Sequence, residues 1–189
     1  MSKSNKNIQS PFDNIMYKLS DDISDTFYNN NFTPNEVTTL SNITWIVMLI
    51  FLYNSYNYIA AFLLLISFFF DCLNGFMARK YKMSSNFGNI YDHTSHIIKF
   101  ILLMILFYKI NKEKLFKILP VIIIFLILSW SYTKCEEINN NIDETSFVPI
   151  SLCPASTPEG RYSYMQYVKY FGAGSLNILL AILIIYFKE

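Results

Sequence analysis

The stretch DCLNGFMARKYKMSSNFGNIYDHTSH, Asp71 to His96, decides how the whole chain is read. It starts at the end of one strongly apolar run and finishes at the start of the next. Of 14 acidic residues, twelve fall in what read as polar tails and loops; only Asp71 and Asp92 sit within the ends of apolar helices. An ionisable group at that depth is costly, and usually faces a protein-lined cavity or a partner.

Working outward, apolar residues collect in runs at about 40–53, 58–78, 87–108, 115–132 and 171–187. A bilayer span needs roughly 17–25 mostly apolar residues. The second run fits best and the first is the shortest. The third qualifies only with its polar front end of Asn89, Asp92, His93, Ser95 and His96. Charged residues make up 15% of the 189, against about 25% in soluble domains. The expectation is an all-α, multi-pass transmembrane bundle of five or six spans. A net charge of +1 gives no sign of nucleic-acid binding.

Residues 1–37 form a polar segment. Within it Phe12, Ile15, Met16, Leu19, Ile23 and Phe27 recur at helical spacing, opposite Asp13, Lys18, Asp21, Asp22 and Asp25. This pattern predicts an amphipathic helix, lying at the membrane interface or packed on the end of the bundle. Residues 38–189 form the membrane domain, with the 71–96 motif and a polar loop over 134–170. Thr33-Pro34-Asn35 reads as a helix breaker before the first span. Asn54 to Asn57 makes a tight hairpin between the first two spans. Cys135 and Cys153 share the polar loop, but three cysteines without a secretory signal do not favour a disulfide.

Alternating spans put the N-terminus, the 79–86 loop and residues 134–170 on one side. That side carries nine Lys or Arg, against five on the other. The positive-inside rule therefore favours it as cytoplasmic, although Lys109, Lys112, Lys114 and Lys117 pull the other way.

On a helix, Asp71, Asn74, Gly75 and Ala78 share one face, and so do Gly88, Asp92, His96 and Lys99. The turn between is short enough for the two faces to meet at one membrane surface. Two carboxylates and an amide oxygen suit Mg²⁺ or Mn²⁺, or Ca²⁺ in a looser geometry. With Arg79, Lys80 and Lys82 alongside, the combination suits a phosphate-bearing substrate. Plainer readings stand beside this one. The basic residues also fit the flank of a span. Asp71 could pair with Arg79 or Lys99, and Asp92 with His96 within one helix. An unrelated small ion transporter would carry Asp71 and Asp92 on its path.

The motif resembles that of the integral-membrane CDP-alcohol phosphatidyltransferases, D-x2-D-G-x2-A-R-x8-G-x3-D-x3-D. Here it reads Asp71-x2-Asn74-Gly75-x2-Ala78-Arg79-x8-Gly88-x3-Asp92-x3-His96, with every spacing kept and six of eight fixed positions matched. Thr33-Pro34-Asn35, followed by Thr38 or Thr39, is similar to the segment that precedes the family's first span. The resemblance implies a bundle of six spans, a possible homodimer and a phospholipid-synthesis reaction. In it, a CDP-linked lipid or alcohol is held on two divalent metals, Mg²⁺ or Mn²⁺, while an acceptor hydroxyl displaces CMP. It implies metal ligands at Asp71, Asn74 and Asp92, catalytic roles for Asp92 and His96, and a CDP site lined by Gly75, Ala78, Arg79 and Gly88. At the two departures, Asn74 keeps a carbonyl oxygen but loses a charge. His96 stands where the family has its general base, and a neutral imidazole accepts a proton as well. A non-catalytic relative that still binds nucleotide or lipid would show the same two changes.

Overall fold

The computed structural model describes residues 10–139 and 150–187. Among these the chain is all-helical: α1 (Pro11–Asn29), α2 (Pro34–Tyr53), α3 (Asn57–Lys80), α4 (Asn86–Asn139), α5 (Pro158–Val168) and α6 (Ala173–Tyr186), with short 3₁₀ turns before and after α5. Helices α2 and α3 are long and apolar enough to cross a membrane, and so are α4 and the helical stretch Pro158–Tyr186. Helix α4 has 54 residues, about 80 Å at 1.5 Å per residue, enough for two crossings. It breaks at Asn111 (φ −158°, ψ 97°), whose side chain accepts from Lys114 N at 2.9 Å and starts the second arm. The third and fourth apolar runs are therefore the two arms of one interrupted helix. The chain is a multi-pass membrane protein.

The chain gathers into two compact units. One comprises residues 16–118 and 177–189. In it α2 and α3 form the expected hairpin, with Ser55 in the left-handed region (φ 64°) at its tip. Ser41 Oγ donates to Ser67 O at 2.8 Å and locks the pair where small side chains let the helices close. Val37, Leu73 and Met77 are fully buried, with Phe27, Phe69, Phe70 and Tyr81 against them. Helix α1 turns only a narrow stripe of Ser20, Ser24 and Phe27 inward here, and its acidic residues Asp21, Asp22 and Asp25 stay exposed. Ser20 and Ser24 are buried, while Ile15, Leu19 and Ile23 stay exposed. Lys80 holds Asp25 at 2.9 Å and Asp21 at 3.1 Å, and Tyr28 stacks on Tyr81. The Tyr81 hydroxyl, then Lys80, hold the Asp25 carboxyl below its ordinary pKa. Most of the apolar stripe, Ile15, Leu19 and Ile23, therefore faces outward, as an interfacial helix requires, while Phe27 anchors its end on the core.

The other unit comprises, among the described residues, 10–15, 119–139 and 150–176. Its core is Tyr132, Cys135, Met165 and Val168. Two expectations change here. Residues 134–170 are not one polar loop: α4 continues to Asn139, and Pro158–Val168 is helical. Lys134 and Glu137 pair at 2.9 Å on the buried side of α4, so their charges do not mark a loop. Cys135 and Cys153 are joined in a disulfide, with Cα atoms 5.1 Å apart. The fold brings together two residues 18 apart, which an odd cysteine count cannot reveal. Asp13 accepts from Gly174 N at 2.5 Å and caps the start of α6, though burial raises its pKa. A side chain at Gly174 would collide with Asp13 and Phe12.

The expected break falls between α1 and α2, and Thr33 is also the N-cap of α2. Its side chain accepts from Glu36 N, and Glu36 reaches back to Thr33 N at 2.7 Å, with Pro34 in the first turn. Thr157 caps α5 in the same way ahead of Pro158.

Candidate metal and phosphate site

The last two turns of α3 and the first four turns of α4 form a clamp, and the N-terminal half of α2 lies behind it. Apolar packing holds the clamp: Leu73 and Met77 are fully buried, so the intervening positions Asp71, Asn74 and Ala78 take the other side of α3. One oxygen of Asp71, one of Asp92 and one ring nitrogen of His96 lie within 4.8 Å of one another. His96 Nδ1 is 3.7 Å from Asp71 Oδ2, and Nε2 is 3.5 Å from Asp92 Oδ2.

Asn74 is buried and braces this group. Its Nδ2 donates to Asp92 Oδ1 at 2.8 Å and to Thr38 Oγ1 at 2.8 Å. Thr38 Oγ1 in turn donates to Pro34 O at 3.2 Å. The amide thus sets Asp92 against the first turn of α2. A second brace lies one turn deeper. Lys99 Nζ donates to Asp71 Oδ1 at 2.9 Å, Asp71 Oδ2 at 3.0 Å and Ser41 Oγ at 2.7 Å. Alongside, Asn42 Nδ2 donates to Tyr91 OH and Ser95 Oγ, both at 3.1 Å. The three helix faces are therefore joined by a continuous polar network, as the absence of water in a bilayer demands.

Of the residues expected to line the substrate, Arg79 folds back over Gly75. A Cβ at Gly75 would meet Arg79 Nη1 at 3.5 Å, an ordinary contact, so the guanidinium lies directly against this turn of α3. Arg79 Cζ also lies 5.8 Å above the Tyr17 ring of α1. Gly88 marks a close approach to α2, because a Cβ there would come within 2.8 Å of Asn35 Oδ1. Ala78 closes the end of α3, its carbonyl accepting from Met83 N at 2.9 Å. The geometry thus gathers Asp71, Asn74, Asp92 and His96 at one place. Gly75 and Arg79 share the same end of α3, and Gly88 stands at the foot of α4.

The donor set can be weighed against the two divalent ions that the motif implies. Two carboxylates and an imidazole with converging donor atoms fit one such ion. They do not supply the bridging carboxylates of a pair, because Asn74 has lost its charge and Lys99 already offsets the charge of Asp71.

The sequence pointed to Thr38 only as part of the segment before the first span, and gave no site role to Ser41, Asn42 or Tyr91. Each is a common polar residue in an apolar span; Ser41 and Ser67 at small-residue positions were the nearest thing to a signal.

A family model described as CDP-alcohol phosphatidyltransferase matches residues 31–147, more than half of the chain, and takes in α2, α3 and α4 with the whole clamp. No curated protein and no solved structure matches the chain. Enzymes of this family are metal-dependent transferases of phospholipid biosynthesis, acting on a CDP-alcohol donor and a hydroxyl acceptor at a membrane. With the motif spacing kept and its residues converging on one clamp, the chain belongs to the CDP-alcohol phosphatidyltransferase family.

Proposed function

We propose that this chain transfers a phosphoalcohol or phosphatidyl group from a CDP-linked alcohol or lipid to an acceptor hydroxyl, releasing CMP, with the site open to the cytoplasm. The observation that carries the reading is the convergence of Asp71, Asp92 and His96 within 4.8 Å on a family-matched clamp. A divalent cation, Mg²⁺ or Mn²⁺, would be held by Asp71, Asp92 and the Asn74 carbonyl, with the His96 ring beside it as the base. When bound, it neutralises and polarises the diphosphate of the donor.

The chain's own groups do the rest. Arg79, lying over Gly75, supplies a guanidinium for the outer phosphate oxygens. Gly75 sets the Arg79 guanidinium against α3, and Gly88 lets α2 approach the foot of α4, so both glycines shape the wall that the nucleotide would meet. His96 takes the proton of the acceptor hydroxyl on Nδ1, while Nε2–H faces Asp92, which fixes the ring. The acceptor oxygen forms a new bond to phosphorus, the bond to the CMP oxygen breaks, and CMP carries away the electron pair. Asn74 keeps Asp92 aimed into the clamp through the 2.8 Å hydrogen bond.

One observation favours a second reading, a non-catalytic relative that binds nucleotide. Two carboxylates of the motif are missing, and a third is held by Lys99. A single assay separates the two. Detergent-purified protein with Mn²⁺ or Mg²⁺, CDP-diacylglycerol or CDP-choline and a panel of alcohols is expected to release CMP. No release across the panel, with CDP still bound, would establish the second reading. Absence of both release and CDP binding would remove both.

A further inference from the structure

Lys99 is the buried cation of the clamp. Its side chain is 7% exposed, and its three donors are all used, two on Asp71 and one on Ser41. Ser41 is itself held by Ser67 of α3. The Trp45 ring stands 5.8 Å away on α2. Three helices therefore build this place for an ammonium, and it is set against the carboxylate that opens the motif.

We propose that Lys99 is a resident cation of this centre, standing where a second divalent ion would draw on Asp71, so that the chain binds one divalent ion and not two. The proposal rests on the metal-dependent reading above. Asp71 and Asp92 bring two negative charges and Lys99 returns one positive, leaving a single net negative charge. One divalent ion already outweighs that charge. A second would lie beside the ammonium with no carboxylate left to offset it. The same reasoning accounts for Asn74 and His96 together. A centre with a fixed internal cation needs fewer carboxylates, and an amide and an imidazole suffice to orient the rest. Lys99 acts through Asp71 and is a positioning residue.

The test uses full-length protein in detergent and Mn²⁺ alone, counted by equilibrium dialysis and examined by electron paramagnetic resonance. The parent should bind one Mn²⁺ per chain with the spectrum of an isolated ion. Lys99→Met should bind two, with the spectrum of a coupled pair. Lys99→Arg, which keeps the charge, should stay at one. Two ions or none in the parent, or one in Lys99→Met, would overturn the proposal. Should Lys99→Met fail to fold, the counts in the parent and in Lys99→Arg decide alone: one ion sustains the proposal, and two overturn it. CMP release reports separately. Release with two ions per chain defeats this inference and leaves the function standing. One ion without release does the reverse.

Discussion

Lys99 and Lys80 each hold carboxylate oxygens at about hydrogen-bond length, yet they are opposite kinds of ion pair. Lys99 and Asp71 are 7% and 10% exposed, within the end of a span, and every donor of the ammonium is spent. Lys80 is 28% exposed, and Asp21 and Asp25 are 61% and 67% exposed, at the edge where α1 leaves the bundle. Burial decides what each can do. A desolvated pair must stay paired or gain another charge, so it can govern which ion enters. An exposed pair is screened by salt and water, so it can only bias how often a surface helix is docked.

The largest effect should come from the carboxylate that the buried lysine does not hold. Asp92→Ala should lower metal-dependent CMP release by on the order of a hundredfold or more, measured with the CDP donor in excess. If activity survives, the clamp is not where the reaction occurs.

Breaking the buried pair comes next. Lys99→Met leaves Asp71 buried without a partner and should cost about 3–5 kcal/mol, seen as a lower thermal midpoint in detergent. Mn²⁺ should restore part of the loss by supplying the missing charge, as it would not for a merely structural lysine.

His96→Asp tests the reacting end of the clamp. CMP release should persist, and the acid limb of its pH profile should move to lower pH. An aspartate titrates near ~3.9, an imidazole near ~6.5. An unmoved limb would remove His96 as the base.

The smallest effects belong to the exposed pair. Lys80→Met should speed protease cleavage in α1 severalfold at low salt and less at high salt, with CMP release unchanged in its metal requirement. The pH dependence has a definite sign. Asp25 is held below its ordinary pKa by Tyr81 and then Lys80, so its contribution is present above the usual carboxylate range. It is lost as pH falls through the lowered value. Protection of α1 should therefore persist at pH 5 and fade only in stronger acid.

The group that the sequence displayed and the pairing that it left open differ in spacing. Asp71, Asn74, Asp92 and His96 lie on two short helical faces, and the i, i+3, i+4 rule brings each set together without any knowledge of packing. Lys99 falls on the same face, but its choice of Asp71 over another partner depends on how α4 leans against α3. The amphipathic stripe of α1 was equally plain. Its direction was not, because Lys80 and Tyr81 decide where Asp21 and Asp25 are held at the edge of the bundle. The 134–170 segment misled because charge was taken for exposure, whereas Lys134 and Glu137 satisfy each other on a buried face.

The sequence by itself determined that this is a helical membrane protein with a phosphate-handling motif, because run length and helical periodicity are local properties. Only the tertiary structure decided which charges meet. It set Lys99 on Asp71, Asn74 between Thr38 and Asp92, and Cys135 on Cys153. Those pairings arise from three-dimensional approach across 28, 36 and 18 residues for Lys99, Thr38 and the disulfide. Within a low-dielectric interior, which partner is near settles what a charge is worth.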